Sequence, residues 1–255
     1  MSTPFEGRVA LVTGGSGGIG SSTVRALLDA GAIVVSADRT TPSRPPERPE
    51  DSARLRCASV NVAEAAQVQA LVRETVEAFG RIDILVNVAG VVSFGSAESL
   101  DDTEWNRVID TNLRGTFLCC QSVIDPMRTH GFGRIVNIGS VIGKNGGNAR
   151  PWISPREQAN SGNVAYGVSK AGVHALTGFL ARELACHGIT VNAVAPGPIA
   201  TPMTSGFPDT LRALIPGGRM GEPADVVRAI LFLASPDAGF INGEVLDVNG
   251  GMWCD

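Results

Sequence analysis

The sequence predicts an α/β fold, in which a doubly wound, seven-stranded parallel sheet carries helices on both faces. Two observations lead to this prediction. Short runs of β-branched residues alternate with longer helical patterns along the 255 residues, and the runs are almost continuously apolar. Parallel strands of that composition are buried on both faces, which requires a layer of helices on each side of the sheet.

The predicted strands follow from these runs in chain order. They are "RVALVT" (8–13), "AIVVSAD" (32–38), "LRCASV" (55–60), "DILVNV" (83–88), "RIVNIGS" (134–140), "ITVNAVA" (189–195) and "EVLDVNG" (244–250). Between the third and the fourth, apolar side chains recur at helical spacing at Val68, Leu71, Val72, Val76 and Phe79. Such a stripe packs a helix on a sheet face. Because the sequence has no internal repeat or domain linker, residues 1–255 are predicted to form a single domain.

Composition and charge narrow the class of protein. Hydrophobic residues make up 44% of the chain, which is enough for a substantial core. A net charge of -4 with scattered arginines offers no footprint for a phosphate backbone, so no nucleic-acid partner is expected. The N-terminus lacks a secretory pattern and no apolar run approaches the roughly 20 residues of a membrane span, which predicts a cytoplasmic protein with no membrane partner.

The cysteines and histidines predict no metal site. The five cysteines are odd in number and show no CxxC spacing, which argues against a disulfide framework and against zinc. The three histidines, His130, His174 and His187, lie outside the motifs described below and have no close acidic partners at ligand spacing. Catalysis is therefore expected to need no metal.

Two segments interrupt the alternation of strands and helices. Residues 40–52 contain four prolines and charges of alternating sign, which predicts an exposed loop after the second strand. Residues 144–163 form a long connection rich in Gly, Pro and Asn. Connections of this length inside a domain are typically lids, binding loops or disordered segments. A lid that selects the substrate and a surface insertion without a catalytic role both remain open.

A glycine-rich turn, "TGGSGGIG" (13–20), follows the first predicted strand and opens an apolar-periodic helix. Gly14, Gly18 and Gly20 allow the backbone to approach a pyrophosphate, which can bind the unpaired N–H groups of the helix N-terminus. Asp38 ends the second strand 20 residues after Gly18, where a carboxylate receives the adenosine ribose hydroxyls. This combination predicts a Rossmann-type dinucleotide site.

The charges around Asp38 favour NAD over NADP. The carboxylate repels a 2′-phosphate, and the residue before Gly18 is Gly17 rather than a basic residue. Arg39 keeps NADP open as the alternative, because its guanidinium can hold that phosphate if the aspartate turns away.

The only tyrosine of the chain and one of its two lysines stand four residues apart in "AYGVSK" (165–170). On a helix, Tyr166 and Lys170 lie on one face, one turn apart. An ammonium about 4 Å from a phenol favours the phenolate by about 4 kcal/mol, or about 3 pKa units, at an effective dielectric constant near 20. We therefore predict a Tyr166 pKa close to neutrality, suited to general acid/base work beside a nicotinamide.

The ordered motifs resemble those of the short-chain dehydrogenase/reductase family over nearly the whole chain. "TGGSGGIG" is similar to that family's TGxxxGxG, "AYGVSK" to its YxxxK and "NVAG" to its NNAG, while "TNLRGTF", "NIGS" and "PGPIATP" match in order. The resemblance implies a catalytic group of Asn112, Ser140, Tyr166 and Lys170. Ser140 would bind the substrate oxygen, Tyr166 would exchange its proton, Lys170 would bind the nicotinamide ribose and lower the phenol pKa, and Asn112 would hold a water leading to solvent.

The resemblance also implies a wider set of cofactor contacts. Ile199 and Thr201 would contact the nicotinamide carboxamide, while Pro196 and Gly197 would shape the preceding turn. The full predicted set is Gly14, Ser16, Gly17, Gly18, Ile19, Gly20, Asp38, Arg39, Asn61, Val62, Asn87, Ala89, Gly90, Tyr166, Lys170, Pro196, Gly197, Ile199 and Thr201.

This sequence departs from the family pattern at three places. Val88 replaces the second asparagine of NNAG, and Asn61 stands where the family commonly has an aspartate. An amide can both donate to and accept from an adenine, so Asn61 remains a predicted contact. Ser140 and Tyr166 are 26 positions apart, about twice the family's usual separation. The extra chain must therefore loop outwards, which would bring Trp152, Arg150, Arg156 and Glu157 near the mouth of the pocket.

The predicted activity is interconversion of a secondary alcohol and a ketone with NAD(H). A substrate-binding segment is expected at 201–220, where apolar walls are offered by Met203, Phe207, Leu211 and Leu214 and Arg212 is a candidate anchor for an acidic group. An NADPH-dependent 3-oxoacyl thioester reductase is the nearest alternative, because "IPGGRMGEPADV" and "INGEVLDVNGGM" resemble that branch. A catalytically silent dinucleotide-binding regulator is the alternative of another class. The resemblance also implies a homotetramer.

Overall fold

All seven predicted strands form in the computed structural model, which describes residues 3–40, 48–147 and 151–254. The strands are β1 (Val9–Thr13), β2 (Ile33–Asp38), β3 (Leu55–Ser59), β4 (Ile84–Asn87), β5 (Gly133–Ile138), β6 (Ile189–Pro196) and β7 (Val245–Val248). They make one parallel sheet in the order β3-β2-β1-β4-β5-β6-β7. The predicted seven-stranded parallel sheet is confirmed.

Nine α-helices occur in the described part of the chain. They are α1 (Gly18–Asp29), α2 (Ala65–Phe79), α3 (Asp102–Ile109), α4 (Gly115–Thr129), α5 (Ile142–Asn145), α6 (Pro155–Ser161), α7 (Val164–Leu184), α8 (Asp209–Arg212) and α9 (Pro223–Ala234). A π-helical turn, Asp110–Arg114, joins α3 to α4. Short 3₁₀ turns lie at Pro49–Ala53, Ala185–His187, Pro202–Thr204 and Pro236–Ala238.

The core lies on both faces of the sheet, and β1 contributes to both halves. Leu11 packs with apolar residues of α2, α4 and α7, whereas Ala10 and Val12 pack with those of α1 and α9. Side chains alternate between the two faces of a strand, and all five residues of β1 are buried. The strands are continuously apolar because helices cover both faces of the sheet. The prediction of helices on both faces is confirmed.

The strand order reverses beside β1, which pairs with β2 on one side and β4 on the other. In open parallel sheets a crevice forms at this point, outside the carboxyl ends of the strands. Thr13, at the carboxyl end of β1, aligns with Ala37 of β2 and with Asn87 of β4. The loops that follow these three strands therefore meet at one edge of the sheet.

The C-terminal end of the segment 40–52, which was predicted to be an exposed loop, forms a turn instead. Positions 41–47 lie outside the described residues, but Pro49–Ala53 form a 3₁₀ turn in which Asp51 is buried. Asp51 accepts hydrogen bonds from Arg25 of α1 and from Arg54. These guanidinium groups lower the pKa of Asp51, with the bond from Arg25 as the main cause. The carboxylate thus attaches this turn to α1.

The segment 144–163 contains regular structure instead of one long loop. It begins in α5 and includes α6, whose N-cap Ser154 accepts a hydrogen bond from the Glu157 N–H at 3.1 Å. The Gly95 N–H donates to Gly162 O at 2.7 Å, and the Ser96 N–H donates to Ala159 O at 3.0 Å. The described part of this insertion is therefore docked against residues 95 and 96; Arg150, predicted near the pocket mouth, lies outside the described residues.

Candidate active site

A cleft of about 400 Å³ opens at the carboxyl edge of the sheet, where the strand order reverses. Most of the predicted site residues line it. These are Gly14, Gly17, Gly18, Ile19, Gly20, Asp38, Arg39, Asn61, Val62, Ala89, Gly90, Ser140, Tyr166, Lys170, Pro196, Gly197, Ile199 and Thr201. Three predicted residues, all within the described ranges, lie outside the lining: Ser16, Asn87 and Asn112.

The glycine loop is shaped by close backbone contacts. Gly14 has φ +66°, and a Cβ there would lie 2.6 Å from the Ala89 nitrogen. A Cβ on Gly20 would lie 2.0 Å from the Gly14 carbonyl oxygen. Both positions therefore require glycine, one for conformation and contact and the other for contact alone. Gly17 is the N-cap of α1 and makes no side-chain capping bond within the described chain, so the helix N-terminus faces the cleft uncapped by a side chain.

Asp38 and Arg39 form the end of the cleft that follows β2. The Ser16 N–H donates a hydrogen bond to Asp38 Oδ2 at 3.0 Å. Ser16 does not line the cleft, but its backbone N–H holds the Asp38 carboxylate, and its contact with a cofactor stays a prediction. Arg39 is exposed beside the aspartate and lines the same cleft. This end of the cleft therefore carries both the carboxylate that favours NAD and the guanidinium that favours NADP.

Asn61 and Asn87, predicted to lie on the adenine side, have different positions. Asn61 lines the cleft, and its Oδ1 accepts a hydrogen bond from the Ala63 N–H at 3.2 Å, which leaves the Nδ2 group as the available donor. Asn87 lies in the core instead, where its Nδ2 donates to Asn137 Oδ1 at 2.9 Å and to Cys120 Sγ at 3.3 Å. The prediction that Asn87 contacts the cofactor is not supported by this placement.

Three predicted catalytic side chains meet at the carboxyl end of β5. Ser140 follows β5 and is buried, while Tyr166 and Lys170 project from the first turns of α7. The Ser140 side chain lies close enough to the Tyr166 phenol to lower its pKa. Ser140 Oγ also accepts from the Ile142 N–H at 3.2 Å, which fixes the hydroxyl over the start of α5.

The prediction that Lys170 brings the Tyr166 pKa close to neutrality is wrong. Burial raises the pKa of Tyr166 above its ordinary value, and the neighbouring Ser140 offsets this rise only in part. Lys170 Nζ lies 5.8 Å from the centroid of the phenol ring and donates to Ile138 O at 2.7 Å. Burial lowers the pKa of Lys170 itself to about 8. Its ammonium is thus turned to the β5 backbone, and burial outweighs its influence on the phenol.

Asn112 lies in the π-helical turn and is fully buried. Its Oδ1 accepts from the Val91 N–H at 2.8 Å, and its Nδ2 donates to Val91 O at 2.9 Å and to Ser169 Oγ at 3.0 Å. Both amide protons are therefore in use. The side chain links the segment after β4 to α7, and the role of Asn112 in holding a water stays a prediction.

The segment after β6 closes the opposite end of the cleft. Ile199 is buried and forms a bridge with Gly221, while Thr201 caps the turn Pro202–Thr204. Thr204 Oγ1 accepts from the Thr201 N–H at 3.1 Å and donates to the carbonyls of Ile199 and Thr201. A Cβ on Gly18 would lie 2.8 Å from Thr201 Cγ2. This end of the cleft therefore rests directly on the glycine loop.

The predicted substrate segment contributes less to the cleft than its apolar pattern indicated. Met203 lines the cleft and is exposed, but Phe207, Leu211 and Leu214 are not among its lining residues in the described structure. Arg212, the proposed acid anchor, is exposed and pairs with Asp209 one turn earlier at 3.4 Å. Its placement gives no support to an anchoring role.

Two features of the site escaped sequence reasoning. Thr204 holds the segment after β6 through its side chain, and His174, taken as lying outside the site, accepts a hydrogen bond from the Ser140 N–H at 3.3 Å. His174 stands four residues after Lys170, so the helical period itself places it on the same face of α7. Within the described residues, no group of His, Cys, Asp and Glu side chains could hold a metal ion, and no helix could span a membrane.

Comparison with known proteins agrees with this architecture. A family model described as enoyl-(acyl carrier protein) reductase matches residues 14–253. The chain is 40% identical to (2S)-[(R)-hydroxy(phenyl)methyl]succinyl-CoA dehydrogenase subunit BbsD of Thauera aromatica, over 97% of both chains. It is 38% identical to 3-oxoacyl-[acyl-carrier-protein] reductase FabG of Escherichia coli (strain K12), over 98% of both.

A solved structure extends the similarity to three dimensions. The crystal structure of gox2181 superimposes with a TM-score of 0.84 at 34% identity, covering 99% of this chain and 98% of that one. The similarity therefore includes the sheet, the glycine loop and the helix that carries Tyr166 and Lys170. The chain belongs to the short-chain dehydrogenase/reductase family and, like its relatives BbsD and FabG, is an NAD(P)-dependent oxidoreductase of alcohols and ketones.

Proposed function

We propose that the protein interconverts a secondary alcohol and a ketone with NAD(H), using Tyr166 as general acid and base. The observation that carries the proposal is that Ser140 and Tyr166 line the cleft that begins at the glycine loop, with their hydroxyls close enough for Ser140 to lower the phenol pKa. A substrate oxygen that enters between these hydroxyls can accept a hydrogen bond from each. The proposal is tested by steady-state turnover of ketones and secondary alcohols with both cofactors.

The cleft fits a dinucleotide on grounds that come from this chain. At Gly14 and Gly20 a Cβ would collide with backbone, and the N-terminus of α1 beside them lacks a side-chain cap in the described structure, as an approaching pyrophosphate requires. Asp38 stands at one end for the ribose hydroxyls, and Lys170 stands at the other. When bound, the nicotinamide supplies or receives the hydride.

The side chains divide the remaining work. Because burial raises the Tyr166 pKa, the phenol is protonated at neutral pH and is ready to donate its proton in the direction of ketone reduction. Ser140 donates to the same oxygen and holds it for that transfer. Lys170, whose pKa of about 8 leaves it mainly charged at pH 7, provides a positive charge near the phenol as negative charge develops on the substrate oxygen.

The preference for NAD rests on Asp38. Its carboxylate is held by the Ser16 N–H and repels a 2′-phosphate, whereas the neighbouring Arg39 attracts one. We expect Asp38→Ser to raise kcat/KM for NADPH relative to NADH at least tenfold and Arg39→Ser to lower that ratio. A wild-type enzyme that prefers NADPH, with no change of ratio in Asp38→Ser, would contradict the assignment.

A 3-oxoacyl thioester is the second candidate substrate. The names of the relatives favour it: FabG is a reductase of 3-oxoacyl groups on acyl carrier protein, and BbsD acts on a CoA thioester. Acetoacetyl-CoA compared with ethyl acetoacetate, which carries the same reacting ketone, tests whether the thioester arm is recognised. Crotonyl-CoA tests reduction of the double bond in the family model's description. Turnover of ethyl acetoacetate with a kcat/KM equal to that of acetoacetyl-CoA would remove the thioester candidate.

The alternative of a silent regulator predicts a different outcome. Such a protein would bind NADH and show no turnover on any member of this panel. Thermal shift cannot make the distinction, because ligand at 100 times its Kd stabilises either protein by about 2.7 kcal/mol. The placement of Ser140 and Tyr166 in the cleft supports the enzyme. A turnover measurement distinguishes the enzyme from the regulator.

The single chain acts within a homotetramer in this proposal. Two faces support it: one on α7 exposes Val164, Val168 and Phe179, and one after α9 exposes Phe240. Large exposed apolar groups of this kind mark interaction surfaces. Light scattering coupled to gel filtration measures the state directly. Phe179→Lys and Phe240→Lys are each expected to divide the tetramer into dimers if the two faces form separate interfaces.

A further inference from the structure

Helix α7 contacts the end of β5 through three side chains spaced four residues apart. Tyr166 lies beside the Ser140 side chain, Lys170 Nζ donates to Ile138 O at 2.7 Å, and His174 Nε2 accepts from the Ser140 N–H at 3.3 Å. Positions i, i+4 and i+8 lie along one face of a helix. The helix that carries the acid/base residue therefore holds the backbone of Ser140 and faces its hydroxyl.

The imidazole occupies a space that the neighbouring glycines leave for it. A Cβ on Gly139 would lie 2.1 Å from His174 Nε2 and 2.6 Å from its Cδ2, and one on Gly143 would lie 3.0 Å from Cε1. Neither glycine has a positive φ, so backbone conformation does not demand glycine at these positions. At Gly143 the α7 backbone is also close, but at Gly139 the nearest atoms belong to the ring.

The hydrogen bond sets the state of the ring. Because the Ser140 N–H is the donor, Nε2 must be the unprotonated nitrogen of a neutral imidazole. A buried N–H without an acceptor is destabilising, so the chain around Ser140 would shift to find another partner if the ring were lost. Such a shift would move the hydroxyl that shares the substrate oxygen with Tyr166.

We propose that His174 is a positioning residue that fixes the Ser140 hydroxyl through its backbone N–H. The inference rests on the proposed function, because Ser140 is its point of action. A displacement of about 1 Å at a reacting group can cost about a hundredfold in rate. Loss of His174 should therefore lower kcat, while binding of the cofactor, which lies along the other residues of the cleft, should change little.

The test compares two side chains of similar length at position 174. His174→Gln offers an amide oxygen to the Ser140 N–H, and His174→Met fills the space without a good acceptor. We expect His174→Met to lose about tenfold or more in kcat with its Kd for NADH, measured by fluorescence titration, within twofold of wild type. His174→Gln should recover kcat to within about threefold. Equal losses in the two variants, or no loss in His174→Met, would overturn the proposal.

A double-mutant cycle separates positioning from general stability. In a Ser140→Ala background the hydroxyl is absent, so adding His174→Met should cost less than a further twofold in the residual kcat. The same loss in both backgrounds would show that His174 acts elsewhere. If His174→Met does not fold, His174→Asn, whose shorter amide does not reach the Ser140 N–H, replaces it with the same expected loss. Absence of turnover in the wild-type enzyme would instead reject the proposed function, so the two failures are distinguishable.

Discussion

Replacing Lys170 by Met tests how the protein carries a buried charge at its active site. Lys170 is 4% exposed, and burial lowers its pKa from 10.5 to about 8. This lowering corresponds to a penalty of about 3 kcal/mol on the charged form in the folded state. The penalty is fully present below pH 8 and is lost as the pH rises from about 8 to 10.5, because the unfolded state then holds the proton longer than the folded state.

The substitution removes this penalty but also removes a hydrogen bond. The carbonyl of Ile138 loses its donor at 2.7 Å, which costs about 1–3 kcal/mol at every pH. At pH 7 we therefore expect Lys170→Met to be about 0–2 kcal/mol more stable than wild type. Between pH 7 and pH 9 the wild-type penalty falls from about 3 to about 2 kcal/mol, so the advantage of the variant should shrink by about 1 kcal/mol.

The assay is urea unfolding of both proteins without cofactor, at one protein concentration, at pH 7, 8 and 9. Lys144→Met is the matched control, since it changes the other lysine of the chain, which bonds Asp247 at 3.0 Å. Loss of the ammonium from that ion pair should destabilise the protein, opposite in sign to Lys170→Met. A stability difference between Lys170→Met and wild type that stays constant from pH 7 to pH 9 would refute the reasoning.

Two further substitutions test the ends of the cleft. Gly18→Ala puts a Cβ 2.8 Å from Thr201 Cγ2 and is expected to weaken NADH binding about tenfold. The control is Gly17→Ala, whose Cβ would meet only a carbonyl oxygen at 3.6 Å and which should bind NADH within twofold of wild type. Equal affinities in the two variants would contradict the packing argument. Gly162→Ala puts a Cβ 2.3 Å from Gly95 O and should release α6 from residues 95 and 96. If the insertion is a lid, the substrate KM should rise several-fold. Gly178→Ala, whose Cβ would meet nothing within 4 Å, is the control. A KM that does not change across a substrate panel would make the insertion a surface element.

The sheet could be predicted from the sequence because its strands are buried on both faces. A run such as "ITVNAVA" has one explanation in an α/β protein, and β6 is buried at all eight of its positions. The insertion was harder, since its Gly, Pro and Asn content hid a helix signal. Ser154 and Glu157 have the spacing of a capping pair, with Pro155 at the first helical position, and α6 begins there.

Single side chains within the site depended on register and packing that no motif specifies. Asn87 aligns with Asn137 across β4 and β5, so its amide turns into the core rather than to the cleft. Lys170 has the predicted position on α7, but its ammonium bonds the β5 carbonyl instead of acting on the phenol. The four-residue spacing between Lys170 and His174 can be seen in the sequence. The space that Gly139 leaves for the imidazole ring is visible only in three dimensions.

In the proposed mechanism Tyr166 exchanges the proton while its neighbours bind the cofactor. Tyr166→Phe keeps the ring and removes only the hydroxyl, so the most direct measurement is kcat of this variant beside its Kd for NADH. General acid/base catalysis contributes about 10²–10⁴ in rate, and we predict a loss of kcat in that range with the Kd within about threefold of wild type. Full turnover by Tyr166→Phe on a substrate that the wild-type enzyme reduces would contradict the account.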